Sequence, residues 1–317
     1  MAFGAVLFGR ECHARTLGSG PAGWLWYVPA RVTQNLELPP RVAAALADPA
    51  PPSESTVPAA GVGFHALAWG AADAAPVLLL HGVTSSARTW WRIGPAIAAA
   101  GFRVVAPDLP GHGETQPWTG HHRFSDNAAD LVAFARAAGL DRADLGIVGH
   151  SWGAMTAAAM PGAGLVPARL VLIDPPAVPL TAIAAMLEDP VEGRYDDVNV
   201  AIGAIGGLHP TWPYGDVIAK AEGLTQFEEA AVIAILTENG DWDGGLGGLA
   251  DPSAAGVPVT LIRGDPAFGG YIPDAALPGL AARIGVDRIV TIAGAPHSPH
   301  RTHPEALVGA LLRSVEG

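Results

Sequence analysis

Cysteine is almost absent from this chain of 317 residues, in which Cys12 is the single example. That count excludes an intramolecular disulfide framework and a cysteine-rich zinc site. The 11 histidines are not spaced with carboxylates or thiols as metal ligands would be. We therefore expect no metal and no other cofactor.

Basic residues are also scarce, because 18 Lys and Arg stand against 30 Asp and Glu, for a formal net charge of −12. Nucleic-acid binding needs clustered positive charge, so nucleic acid is excluded as a partner. Charged residues make up 15% of the chain and hydrophobic residues 50%, a composition too apolar for intrinsic disorder. The length suits one large α/β domain or two modest ones.

Long apolar runs are missing as well. No stretch of about 18 apolar residues is available to span a bilayer. Residues 1–10 have too short an apolar run, and no basic region before it, for a signal peptide. We expect a cytoplasmic protein without a membrane partner.

What the chain does contain, from Gly61 onward, is a series of short apolar runs bounded by turn residues. They lie at 77–80, 103–106, 145–148, 170–173, 259–262 and 289–292. Alanine-rich stretches with helical spacing separate most of them, as at 93–100, 128–138 and 280–284. This alternation predicts an α/β fold in which helices cover both faces of a mostly parallel central sheet. Ligands of such sheets bind at the carboxyl ends of the strands.

Two segments depart from this alternation. Residues 1–60 are rich in Gly and Pro, and we interpret them as an N-terminal arm of unknown role. Such an arm could pack on a second copy of the chain, which leaves a homo-oligomer open. Roughly 80 residues separate the last two strands from those before them, with amphipathic stretches at 183–187 and 227–236. We predict a helical lid over 175–256, inserted into a core formed by 61–174 and 257–317.

The strongest chemical signal is the sequence Gly149-His-Ser-Trp-Gly153, between the 145–148 strand and an alanine-rich helix. A sharp strand-to-helix turn would lift the Ser151 hydroxyl above the sheet, and the two glycines would relieve the crowding in that turn. We therefore predict that Ser151 is a nucleophile.

A serine hydroxyl needs a base to accept its proton. His297 follows the last predicted strand, and His300 and His303 are its nearby competitors. We predict that His297 is this base.

A carboxylate should fix the tautomer of that histidine and stabilise its charged form. Asp174 and Asp265 both end strands after Ser151, and both precede a proline, as turn-forming aspartates often do. Asp265 gives the chain order Ser, Asp, His at the penultimate strand. We favour Asp265 and keep Asp174 as the alternative acid.

An oxyanion requires two preorganised N–H donors. His81-Gly82-Val83 directly follows the 77–80 strand, so the Val83 amide can face the site. The amide of Trp152, next to the nucleophile, is the second predicted donor.

These segments together resemble the α/β-hydrolase superfamily, in its lid-bearing branch of bacterial serine esterases. The matching pieces are Leu80-His-Gly-Val-Thr-Ser-Ser, Pro107-Asp-Leu-Pro-Gly-His-Gly, Gly149-His-Ser-Trp-Gly, Leu172-Ile-Asp-Pro-Pro and the segment around His297. The resemblance covers residues 61–317 and implies an α/β-hydrolase fold with a serine nucleophile. Many relatives carry the acid three residues after a glycine at the penultimate strand, where this chain has Ala267. Haloalkane dehalogenases and most epoxide hydrolases of this fold place an aspartate, not a serine, at the nucleophile.

A serine, a histidine base and an oxyanion hole perform acyl transfer to water. We therefore expect hydrolysis of carboxylic esters, including lactones. Amides, thioesters and carbon–carbon bonds remain alternatives that residue spacing does not separate. A ligand receptor of hydrolase fold is another, although no member of the predicted triad is missing.

Four tryptophans are candidates for a pocket that binds an apolar small molecule: Trp90, Trp91, Trp212 and Trp242. The negative charge is concentrated in the predicted lid, because residues 175–256 hold 13 acidic residues and two basic ones, Arg194 and Lys220. An acidic lid predicts a neutral or cationic substrate.

Overall fold

A nine-stranded sheet runs through the described part of the chain, which in this computed structural model comprises residues 31–32, 37–115, 120–176, 193–240, 242 and 256–316. The strands are β1 (Arg31–Val32), β2 (Ser53–Ala59), β3 (Val62–Trp69), β4 (Ala75–Leu80), β5 (Phe102–Pro107), β6 (Gly146–His150), β7 (Arg169–Ile173), β8 (Val259–Arg263) and β9 (Ile289–Thr291). The helices are α1 (Pro40–Ala47), α2 (Ile93–Ala99), α3 (Phe124–Ala137), α4 (Trp152–Ala159), α5 (Val198–Leu208), α6 (Tyr214–Thr225), α7 (Glu229–Glu238), α8 (Leu277–Ile284), α9 (Pro299–Thr302) and α10 (Pro304–Glu316).

The strand order is β1-β9-β8-β7-β6-β4-β5-β3-β2. The pairings β2–β3 and β3–β5 are antiparallel, and the others are parallel. The prediction of a mostly parallel sheet is confirmed, and the six apolar runs correspond to β4 through β9. Because β6, β7, β8 and β9 are parallel neighbours, their carboxyl ends meet along one edge of the sheet.

Buried side chains form one apolar cluster on each face of the sheet. In β4, Leu78 and Leu80 belong to one cluster, whereas Val77 and Leu79 belong to the other. Helices α3 and α4 supply the first cluster, and α1, α2 and α10 the second. Since both faces are covered, consecutive strand residues are all buried, which explains why these strands are continuous apolar runs in the sequence.

The predicted boundary of the arm at residue 60 is wrong. Strand β2 pairs with β3 along its full length, from Ser53 opposite Ala68 to Ala59 opposite Val62. Helix α1 packs its apolar residues Val42 and Leu46 into the second core cluster. The main fold therefore includes residues that the sequence analysis assigned to the arm.

Among the described residues of the predicted insertion, three helices are present, α5 to α7. Helix α7 covers most of the amphipathic stretch at 227–236, while the stretch at 183–187 lies outside the described residues. No helix in the described ranges is both long and apolar enough to cross a membrane.

Candidate active site

Ser151 occupies the sharp turn between β6 and α4. Its backbone has a φ of +55° and a ψ of −124°, a left-handed conformation that costs a non-glycine residue energy. Thr84 and Asp174 also have positive φ values, so three of the four such non-glycine residues in the described ranges lie at this site. Backbone strain is concentrated where the strand ends meet.

The two glycines of the Gly149-His-Ser-Trp-Gly153 turn are required by close backbone contacts. A Cβ on Gly149 would overlap the carbonyl oxygen of Gly153, and a Cβ on Gly153 would overlap that of His81. The helix that carries Ser151 therefore packs directly on the end of β4. This contact confirms the steric role that the sequence analysis predicted for both glycines.

Ser151, His297 and Asp174 form a continuous hydrogen-bonded chain. His297 Nδ1 donates to Asp174 Oδ2 at 2.7 Å, since a carboxylate can only accept. The Ser151 hydroxyl then donates to His297 Nε2, with an Oγ–Nε2 distance of 3.0 Å. The histidine is thus held in the tautomer that can take a proton from the serine.

The carboxylate at His297 is Asp174, and the sequence-based preference for Asp265 is wrong. Asp265 Oδ1 accepts from the amide of Ala267 at 3.0 Å, and its Oδ2 accepts from the amide of Gly294 at 3.0 Å. Asp265 therefore caps a short turn and fastens the loop before His297. The alternative acid, Asp174 at the end of β7, lies one strand from Ser151.

The Asp174 carboxylate is fully buried and accepts hydrogen bonds at both oxygens. Besides His297, it receives the amide of Gly264 at Oδ1 and that of Tyr271 at Oδ2, each at 3.0 Å. These donors satisfy a charge that would otherwise be costly to bury. The Tyr271 ring also stacks on the His297 ring, with centroids 4.0 Å apart. This stack and the hydrogen bond to Asp174 together orient the His297 ring.

The loop after β4 lies directly against the nucleophile. A Cβ on Gly82 would come within 3.1 Å of the Ser151 Cβ, so the next residue, Val83, is also close to the site. Trp152 is the first residue of α4, a position whose amide has no acceptor within its own helix. Both predicted oxyanion donors therefore lie beside Ser151.

Buried imidazoles hold this loop. Burial lowers the pKa of His112 to about 3, so the ring is neutral and its Nε2 accepts from the Thr84 amide at 3.2 Å. Burial likewise lowers the pKa of His81, whose Nε2 accepts from the Leu109 amide at 2.9 Å. Neutral rings are necessary here, because a protonated imidazole has no acceptor nitrogen.

A third buried histidine positions the base itself. His150 Nε2 donates to the carbonyl oxygen of His297 at 2.9 Å. Burial, followed by the neighbouring His297, holds the pKa of His150 well below its ordinary value. His300 is also buried with a lowered pKa, and its Nε2 lies 3.1 Å from the Thr89 hydroxyl, away from Ser151. His303 bonds to the neighbouring Thr302 hydroxyl.

A cavity of about 500 Å³ opens above Ser151 and His297. Of the four predicted pocket tryptophans, Trp242 lines it. The structure places the other three elsewhere in the described fold. Trp90 is fully buried in the second core cluster, Trp91 donates to Asp216 at 3.0 Å, and Trp212 stacks on His209.

Helix α6 is fastened to the core beside this cavity. Arg92 Nη2 donates to Asp216 Oδ2 at 2.5 Å, and both side chains are almost fully buried. Lys220 Nζ donates to the carbonyl oxygen and the hydroxyl of Thr84, at 3.2 and 3.0 Å. A Cβ on Gly223 would lie 3.0 Å from the Ser85 Cα, so the helix approaches the loop after β4 closely.

Sequence reasoning did not identify Tyr271, His150, Lys220 or Arg301 as site residues, although all four line the cavity. His150 lies inside the nucleophile motif, which was a usable signal. The other three come from segments without a motif, and the fold alone brings them together. In the described ranges, no group of three or more His, Cys, Asp or Glu side chains is arranged to hold a metal ion.

Known proteins resemble this chain in sequence and in fold. Lipase LipV of Mycobacterium tuberculosis is 29% identical over 273 residues, covering 81% of this chain and 98% of the lipase. Epoxide hydrolase B of the same organism is 30% identical over 204 residues, covering 60% of this chain and 55% of that protein. The crystal structure of E-2-(acetamidomethylene)succinate hydrolase superposes with a TM-score of 0.69 at 22% identity, over 84% of this chain and all of that one.

The model of the alpha/beta hydrolase family matches residues 77–310. That range runs from β4 into α10 and contains Ser151, Asp174 and His297. The strand order, the turn at Ser151 and this match show that the chain belongs to the alpha/beta hydrolase family.

Proposed function

We propose that this hydrolase cleaves carboxylic esters through an acyl-enzyme formed on Ser151. The observation that carries the proposal is the hydrogen-bonded chain from Ser151 through His297 to Asp174 at the floor of a cavity. Such a chain allows the serine to attack while its proton moves to the histidine.

In the proposed first step, Ser151 Oγ bonds to the ester carbonyl carbon and its proton passes to His297 Nε2. Asp174 stabilises the resulting imidazolium through the 2.7 Å hydrogen bond. The amides of Val83 and Trp152 stabilise the oxyanion. The alkoxide then leaves with the proton from His297, and an acyl group stays on Ser151.

In the second step, His297 takes a proton from water, whose oxygen attacks the acyl carbon. Collapse of the second oxyanion returns the proton to Ser151 and releases the carboxylic acid. The side chains and amides that these proposed steps use follow the carboxyl ends of β4, β6, β7 and β9. Helices α6 and α7, which contribute side chains to the cavity lining, serve as its lid.

The likeness to LipV, which extends over nearly that whole protein, supports ester hydrolysis. The likeness to epoxide hydrolase B covers about half of that protein. Opening an epoxide through an alkyl-enzyme ester requires a carboxylate nucleophile, and the residue at this position is a serine. The identity of the nucleophile therefore favours acyl transfer.

The test is turnover of short p-nitrophenyl esters by the wild type and by Ser151→Ala. We expect kcat to fall by about 10⁴-fold or more in the variant. Ser314→Ala, a change in the distant helix α10, should retain the wild-type rate. An alkyl fluorophosphonate should phosphonylate Ser151 with loss of fluoride, so the peptide that contains Ser151 should gain the mass of the reagent less that of HF. Ester turnover at the wild-type rate by Ser151→Ala would refute the proposal.

A further inference from the structure

The proposed oxyanion donor Val83 is followed by a residue with a strained backbone. Thr84 has a φ of +54°, a left-handed conformation that a β-branched residue rarely adopts. Rotation about this bond toward a relaxed, negative φ would move the chain on both sides of Thr84. The direction of the Val83 amide therefore depends on the contacts that keep Thr84 in this conformation.

Thr84 is held by hydrogen bonds from the core and from helix α6. On the core side, its amide donates to His112 Nε2 at 3.2 Å. On the other side, Lys220 Nζ donates to the Thr84 carbonyl oxygen at 3.2 Å and to the Thr84 hydroxyl at 3.0 Å. That hydroxyl in turn donates to the carbonyl oxygen of Val83 at 2.8 Å. A hydrogen-bonded chain thus runs from Lys220 through the Thr84 side chain to Val83.

Helix α6 fits closely against this loop at the same place. Gly223 follows Lys220 by three residues, so the two lie on one face of the helix. A Cβ on Gly223 would lie 3.0 Å from the Ser85 Cα and 3.2 Å from the Thr84 carbonyl oxygen, the atom to which Lys220 donates. The Lys220 side chain is buried, and hydrogen bonds from a buried ammonium are among the stronger ones in proteins. These two bonds act on Thr84 whatever else the ammonium contacts.

The helix that carries Lys220 is itself firmly attached to the core. Asp216, one turn before Lys220, accepts from Trp91 Nε1 at Oδ1 and from Arg92 Nη2 at Oδ2. Both Asp216 and Arg92 are buried. Lys220 therefore extends from a fixed support, which is what a residue needs if it is to set the position of another.

We propose that Lys220 is a positioning residue for the oxyanion hole. Through Thr84, it keeps the Val83 amide directed at the oxyanion that forms when Ser151 attacks. This inference rests on the proposed function and assigns to helix α6 a part in stabilising the transition state, in addition to covering the cavity. Lys220 transfers no proton and forms no covalent bond in this role.

The first measurement is the steady-state hydrolysis of a p-nitrophenyl ester by Lys220→Met, which removes both donors and keeps a long unbranched side chain. Loss of one oxyanion donor lowers kcat by about 10²- to 10³-fold, and a displaced donor retains part of its effect. We therefore expect kcat to fall by about 10- to 100-fold, with KM within about threefold of the wild type. An alkyl trifluoromethyl ketone should lose affinity by a similar factor. Ser151 Oγ adds to its carbonyl carbon as the serine proton passes to His297, and the resulting alkoxide occupies the oxyanion hole.

Two further variants separate positioning from a general loss of structure. Val217→Ala removes a buried apolar contact of α6 and leaves Lys220 in place, so it should lower Tm but keep kcat within about twofold. Thr84→Ala removes the hydroxyl that links Lys220 to Val83, and it should lower kcat without raising KM. If Lys220 acts through Thr84, Lys220→Met should lower kcat by a smaller factor in the Thr84→Ala background than in the wild type.

A measurement without turnover separates this inference from the proposed function. Lys220 is the only lysine of the chain, so labelling with nitrogen-15 lysine gives a single ammonium signal by NMR. Thr84→Ala should shift that signal, and an unshifted signal would overturn the positioning role. Absence of ester turnover by the wild type would overturn the proposed function instead. Ester turnover with wild-type kcat and ketone affinity in Lys220→Met, or an equal effect of Lys220→Met in both backgrounds, would overturn the positioning role and leave the esterase proposal intact.

Discussion

Replacing Asp174 by asparagine removes the charge of the proposed triad acid with little change in shape. The carboxylate receives three donors, from Gly264 at Oδ1 and from Tyr271 and His297 at Oδ2. An asparagine has one oxygen and one NH₂ group, so it cannot accept at both positions. In either orientation of the asparagine side chain, its NH₂ group therefore faces a buried N–H donor.

The two orientations have different consequences for the base. An NH₂ group at the Oδ2 position forces His297 Nδ1 to accept, which places the ring proton on Nε2 and prevents it from taking the proton of Ser151. An NH₂ group at the Oδ1 position leaves the Gly264 amide unsatisfied, at about 1–3 kcal/mol, and removes the charge that stabilises the imidazolium. We expect kcat to fall by about 10³ to 10⁴-fold, which corresponds to about 4–5.5 kcal/mol in the activation free energy.

The assay is steady-state hydrolysis of a p-nitrophenyl ester at pH 8, with Asp265→Asn as the matched control. Asp265 accepts only backbone amides in the described contacts, from Ala267 and Gly294. Its variant should be less stable, by about 1 kcal/mol, but should keep kcat within about tenfold of the wild type. A loss of kcat in Asp265→Asn together with near wild-type activity in Asp174→Asn would refute the assignment.

Two further predictions concern stability. Burial lowers the pKa values of four histidines near the site, so below about pH 6.5 the unfolded chain binds protons that the folded chain does not. The contribution of these four histidines to the free energy of unfolding is complete above that pH and is lost as pH falls, by up to about 1.4 kcal/mol per pH unit for each histidine. The raised pKa of His65 offsets part of this loss. Urea unfolding at pH 7, 6 and 5 should show that the free energy of unfolding declines, and the decline with pH should be shallower in His300→Phe. A free energy of unfolding that does not change with pH would contradict this prediction. Asp216→Ala should lower the free energy of unfolding by about 3–5 kcal/mol, because it leaves Arg92 buried without its carboxylate partner. The control is Asp196→Ala, at a side chain that is 99% exposed, which should lower it by less than about 1 kcal/mol. Equal urea midpoints for the two variants would argue against a buried ion pair.

The sequence predicted the central strands because both faces of the sheet are covered, so each strand is a continuous apolar run. It did not predict β2, whose residues Ser53-Glu-Ser-Thr-Val-Pro-Ala are mostly polar and include a proline. An edge strand tolerates both features, since one of its sides has no strand partner. The hydrophobic pattern thus missed this exposed edge strand, and it also missed β3, whose residues are mostly buried.

Local motifs also identified Ser151 and His297 as residues that the structure brings together, whereas the acid depended on geometry that no motif describes. Asp174 and Asp265 both follow strand ends, but Asp174 has a φ of +41° and lies buried beside His297. Asp265 turns toward the amides of its own loop. The choice between them is set by backbone direction at the end of the strand, which depends on packing around it.

The attachment of α6 to the core has a consequence for how the cavity forms. Detaching this helix would break the buried pair at Asp216, the Lys220 contact with Thr84 and the close approach at Gly223. The ordering of this wall is therefore completed during folding and does not have to accompany substrate binding. A preorganised wall lowers the conformational entropy lost when a ligand binds, so more of each contact with the ligand contributes to affinity.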